Sequence, residues 1–101
     1  MTKQIERIKL MEQHLDRASQ AVMQLSAALD DYTAAQKAIS ELSAYYGSKD
    51  WKQDFADDEQ GLLPNDLKRG VLSEDAIWNV LSDCYELNSR MQELLTANKH
   101  L

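Results

Sequence analysis

The side chains best equipped for chemistry in this chain are its carboxylates. Asp54 with Asp57, and Asp83 with Glu86, stand three residues apart. On a helix that spacing turns both groups to one face, where they could share a Mg²⁺ ion and through it grip substrate phosphates. The pattern is weakly specific: 17 acids scattered over this length would produce roughly three such pairs by chance. His14 and His100 stand near opposite ends of the sequence. Glu12 is two residues from His14 and on a different helix face, so the Glu-x-x-His pair of di-iron bundles is absent. No metal site, no cofactor and no catalytic residue is expected. Cys84 is the single cysteine; with no histidine near it in sequence it reads as a small buried hydrophobe rather than a nucleophile. A lone thiol closes no intrachain disulfide, so a reducing cytoplasm suffices for folding.

Two other groups of residues have binding potential. Tyr45, Tyr46, Trp51 and Phe55, with Leu62, Leu63 and Leu67, could form a concave pocket for a partner peptide or a small apolar ligand. More commonly, bulky rings around a turn seal the open end of a helical hairpin by burying a large apolar area. Lys68 and Arg69, just ahead of a helix start at Ser73, could surround an anion such as phosphate. Glu74 and Asp75 would sit where that anion goes, which favours pairing of Lys68 and Arg69 with Asp54, Asp57, Asp58 or Glu59 instead. Exposed pairs of this kind contribute only about 0 to 1 kcal/mol each and serve orientation more than strength.

The elements that must position these groups are helices. Three Gly and one Pro in 101 residues leave little punctuation for hairpins and sheets, which points to an all-α fold in one domain. Over residues 2–46 there is no Gly or Pro, and apolar residues return at Ile8, Met11, Leu15, Ala18, Val22, Leu25, Leu29 and Tyr32 in alternating steps of three and four. This predicts one long helix with a coiled-coil-like seam. The stripe continues at Ala35, Ile39, Leu42 and Tyr46 after a step of three, a phase slip that predicts a bend near Gln36. Gly47 should stop the helix and Ser48 cap the next, so that residues 48–70 form a connector of short helices: one to Gln60 ended by Gly61, then about one turn over residues 65–69 closed by Gly70. Ser73 should cap a return helix over residues 73–98, with Leu72 packed on Ile77 and a seam of Ile77, Val80, Cys84, Leu87, Met91 and Leu94.

Joined by so compact a connector, the two long helices are expected to run antiparallel as a hairpin, the return helix covering the first back to about Ala18. The first helix outruns its partner. Ile5, Ile8, Met11 and Leu15 would then form an exposed apolar stripe, an expected oligomer interface through which two copies make a dimeric helical bundle. The formal charge of −6 has the wrong sign for a domain that neutralises phosphate backbones, so no nucleic acid is expected as a partner. The longest apolar run is three residues, far short of the ~20 that span a bilayer, and the start lacks the apolar core of a secretion signal, so neither membrane nor export is expected.

The stretch Tyr45-Tyr46-Gly47-Ser48, followed by Trp51, Asp54 and Phe55, then Leu63-Pro64, then Asp66-Leu67-Lys68-Arg69-Gly70-Val71-Leu72-Ser73-Glu74-Asp75-Ala76, resembles the signature of the domain of unknown function 4298 family. The likeness runs from the Ile5-Glu6-Arg7-Ile8 opening to about Leu95. It implies a cytoplasmic bacterial helical protein, carries no catalytic residue across, and suggests that the connector is what the fold presents. The expected function is a non-enzymatic protein–protein interaction or scaffolding module, a homodimer with a further protein partner. The alternative is a Mg²⁺-dependent enzyme similar to all-α nucleotide pyrophosphohydrolases, which the chain resembles in size and in its paired carboxylates. Secreted helical hairpins with Trp-x-Gly at their turn are a poor match, because here Gly47 precedes Trp51 and the tail after Asn88 has no Tyr to begin an export signal.

Overall fold

A computed structural model of the chain describes residues 2–99. Four α-helices are present, with no strand among the described residues: α1 (Thr2–Ala34), α2 (Gln36–Tyr45), α3 (Lys49–Glu59) and α4 (Ala76–Ala97), with a 3₁₀ turn at Gly70–Leu72. The chain divides into two compact units, the first ending at Gln36 and the second beginning at Lys37.

The first unit is α1. Its freedom from Gly and Pro and its regular apolar spacing let the helix run for 33 residues without interruption. None of those residues is buried. Ile5, Ile8, Met11 and Leu15 are about half exposed, Leu15 at 59 %. Ala18, Val22, Leu25 and Leu29, expected to be covered, are exposed as well.

The single helix expected over residues 2–46 is instead interrupted at Ala35. Here the Ala35 N–H is shared between Asp31 O at 3.0 Å and Tyr32 O at 3.2 Å, the bifurcation typical of a helix end. The Gln36 side-chain amide also donates to Tyr32 O, at 3.0 Å. The phase slip of the apolar stripe therefore falls where the backbone ladder is diverted to a side chain.

The second unit holds α2, α3, the 3₁₀ turn and α4. Gly47 takes φ +77, a left-handed conformation that lets the chain leave α2. Ser48 then caps α3 as its spacing predicts, its Oγ accepting from Trp51 N–H at 3.1 Å. At the far end of α3, Gly61 at φ +72 donates to Asp58 O at 3.0 Å while Leu62 N–H reaches Asp57 O at 3.0 Å. This is the Schellman pattern, and it satisfies carbonyls that would otherwise be orphaned.

The next stretch departs from expectation. Residues 65–69 form only a turn, closed by Leu67 N–H to Pro64 O at 3.2 Å, and Gly70 opens the 3₁₀ turn rather than ending a helix. Among the described residues, Leu72 and Ile77, at 6 % and 2 % exposure, are the buried apolar core. The 3₁₀ turn packs on both α3 and α4, and it is tightened by Leu72 N–H to Arg69 O and Ser73 N–H to Gly70 O, which brings Leu72 to the core. The return helix begins at Ala76 rather than Ser73. Ser73 still caps it in function: its backbone is extended and its Oγ accepts from Ala76 N–H at 3.2 Å. On α4, Ile77, Leu81, Cys84 and Met91 face inward to some degree, whereas Val80, Leu87 and Leu94 of the expected seam are exposed.

Candidate functional site

Gly47 and the Ser48 cap fold the end of α2 back toward α3, and this local reversal gathers the aromatic residues. Tyr46 meets Trp51 edge-on, ring centroids 5.3 Å apart at 66°. Trp51 in turn stacks on Phe55, one helical turn along, at 5.3 Å and 27°. The Trp51 indole N–H donates to Val71 O at 3.0 Å, tying α3 to the 3₁₀ turn. Trp51 and Phe55 are half-buried.

A second cluster lies beside the first. Tyr45 hydroxyl donates to Asp54 Oδ2 at 2.6 Å. That hydrogen bond first, then burial, then the negative charges of Asp54 and Asp50, push the phenol up from 10.0 to about 12, because each disfavours the phenolate. Tyr45 and Asp54 line a shallow pocket with Leu63, Leu67, Lys68, Arg69, Val71 and Leu72. Arg69 Nη1 bridges to Asp58 Oδ1 at 2.8 Å, both side chains about a third exposed. Asp58 is one of the four acids that the sequence offers as partners for the basic pair. Lys68 is exposed.

The structure thus brings Tyr45, Leu63, Leu67, Lys68 and Arg69 together around one pocket, and Tyr46, Trp51 and Phe55 into a separate ring cluster. Leu62, at the start of the exposed loop, is 66 % exposed. Ser73, grouped with the basic pair in the anion reading, is engaged elsewhere: its hydroxyl donates to Gly70 O at 3.0 Å and accepts from Ala76 N–H. The Leu72 and Ser73 amides are likewise spent on the 3₁₀ turn. This arrangement is a clasp closing on itself.

The carboxylate pairs have other partners or none. Asp54 accepts the hydrogen bond of the Tyr45 hydroxyl, Asp57 accepts from Gln53 Nε2 at 2.9 Å, and Asp83 and Glu86 are exposed. Among the described residues, no three of His, Cys, Asp and Glu converge as metal ligands. His14 is exposed and Cys84 half-buried; His100 lies outside the described residues. No described helix is long and apolar enough to cross a membrane.

Sequence reasoning missed Trp78. It lines an open cleft with Tyr46, Trp51, Glu74 and Asp75. The signal was its position: adjacent to Ile77 and outside the seam, a large ring is directed away from the core.

A family model described as Domain of unknown function (DUF4298) matches residues 8–94. No curated protein and no solved structure matches the chain.

Proposed function

The chain belongs to the DUF4298 family of domains of unknown function, and on that footing we propose that it is a non-enzymatic protein–protein interaction or scaffolding module that works as a homodimer in the bacterial cytoplasm. The observation that carries this reading is α1: 33 helical residues, a seam of alternating three- and four-residue steps, and no buried side chain. An isolated helix gains little stability from propensity alone, and most comes from packing of an apolar face against a partner. A second copy of α1 supplies a matching seam. Ile8, Leu15, Val22 and Leu29 would occupy one seam position and Met11, Ala18 and Leu25 the other, and the β-branched Ile8 and Val22 at the first favour two-stranded pairing. Arg7 and Glu12 flank the seam five residues apart, the spacing at which a parallel, in-register pair sets Arg7 against Glu12 of the second copy.

The self-associated form would be a dimeric bundle built on the hairpin that the residue spacing implies, with Ile5, Ile8, Met11 and Leu15 within the interface. The connector, with Tyr45, Tyr46, Trp51, Phe55, Leu63 and Leu67, is then free for a different partner. The Mg²⁺-dependent pyrophosphohydrolase reading has no comparable support, since Asp54 and Asp57 are taken up by Tyr45 and Gln53. Sedimentation equilibrium tests the proposal: the chain is expected as a dimer at micromolar concentration and Leu15→Asp as a monomer with its connector intact. A chain that stays monomeric at high micromolar concentration overturns it.

A further inference from the structure

The open cleft beside the connector holds both tryptophans of the chain. Its lining is Tyr46, Trp51, Trp78, Glu74 and Asp75. Two of its walls are held in place: the Trp51 ring by its bond to Val71 O and its stacking on Phe55, and Tyr46 by its edge-on contact with Trp51. The third wall, Trp78, is 57 % exposed. Neither its indole N–H nor the carboxylates of Glu74 and Asp75 have a hydrogen-bond or ion-pair partner among the described residues. Single exposed apolar residues are ordinary, but an exposed indole beside two unpaired acids makes a surface of defined chemistry.

That chemistry selects a cation with flat faces. Aromatic rings attract cations through their quadrupole, and a guanidinium, being planar and weakly hydrated, stacks on an indole while offering N–H groups to carboxylates at its edge. An ammonium group is compact and strongly hydrated, and gains less. The start of α4 carries roughly half a positive charge, which opposes a cation, but Glu74 and Asp75 bring two full negative charges to the same place. Because the cleft is open rather than enclosed, it fits a side chain delivered on a larger partner better than a free small ion, which needs a site that buries most of its surface.

We propose that this cleft binds an arginine side chain of a protein partner, with the guanidinium against the Trp78, Trp51 and Tyr46 rings and the carboxylates of Glu74 and Asp75 accepting its N–H groups. The site uses no residue of α1 and is independent of self-association.

The test is titration of the full-length, ¹⁵N-labelled chain with an end-blocked Gly-Arg-Gly peptide at constant ionic strength, followed by the indole N–H resonances and by calorimetry. Saturable shifts of both indole resonances are expected. A Gly-Lys-Gly peptide should bind several-fold more weakly, and Trp78→Ala and the double variant Glu74→Gln/Asp75→Asn should each weaken arginine binding roughly tenfold. Trp78 is largely exposed, so its replacement is expected to leave the circular dichroism unchanged. No saturable shift, or undiminished binding by either variant, overturns the proposal. Tetramethylammonium binding as well as the arginine peptide also overturns it, in favour of a small-cation site. A variant such as Leu15→Asp that is monomeric yet still binds the arginine peptide supports this site while separating it from the self-association reading.

Discussion

The Tyr45 phenol keeps its proton because its O–H donates a hydrogen bond to the Asp54 carboxylate at 2.6 Å. Its value rises from 10.0 to about 12 in the folded chain, so the folded state holds the proton more tightly than the unfolded state does. The resulting stabilisation is fully present below pH 10 and is lost as pH rises toward 12. Tyr45→Phe should therefore lower stability at neutral pH by about 1 kcal/mol, the net worth of one hydrogen bond. It should also flatten the decline between pH 10 and 12; urea melts at both ends of that range check this, and a variant that declines as steeply as the parent refutes it. Trp51 separates two contributions. Trp51→Phe keeps a ring in the stack and removes the bond to Val71 O, a loss of about 1 kcal/mol, whereas Trp51→Ala should cost about 3 kcal/mol. A Trp51→Ala chain that melts like the parent would show that the rings do not hold the connector together. At this scale the sequence was partly legible. Trp51 and Phe55 announce their stacking by a four-residue spacing, but Tyr45 and Asp54 meet only because the backbone reverses between them, and no local rule pairs residues nine apart across a turn.

Glycines 47 and 61 are readable in the sequence as helix stops because only the left-handed conformation is needed of them, and both adopt it. A Cβ added at Gly61 would meet nothing within 4 Å, so Gly61→Ala costs backbone strain alone, about 1 kcal/mol. Thermal or urea unfolding of the second unit measures it; an unchanged midpoint would mean that the end of α3 rearranges freely. Gly70 was misread for a physical reason. It opens the 3₁₀ turn that packs on α3 and α4 and buries Leu72, a tertiary demand that overrides the local signal for a helical turn over residues 65–69. The phase slip in the apolar stripe, by contrast, was visible, and it located the interruption of the first helix within one residue of Gln36. What the pattern could not convey is that the slip coincides with the competition of the Gln36 amide for the carbonyl of Tyr32.

Among the described residues two side chains, Leu72 and Ile77, are buried, a small core for a chain of 101 residues. Domains of this size are marginal even with a full core. If the exposed seam of α1 is completed by a second copy, folding and association are linked, and stability depends on protein concentration. The thermal midpoint is expected to rise as the chain is concentrated from low to high micromolar; a constant midpoint would place all the stability within the single chain. The apolar spacing declared a surface in need of cover, and it could not say which molecule covers it, since periodicity specifies a face and not its occupant.

Both indoles belong to the second unit, and the longest run of helical amides to the first. Emission therefore follows the second unit alone, while far-ultraviolet ellipticity also counts the 33 helical residues of α1. One heated sample yields two curves, and the gap between them measures how tightly the melting of one segment is bound to that of the other.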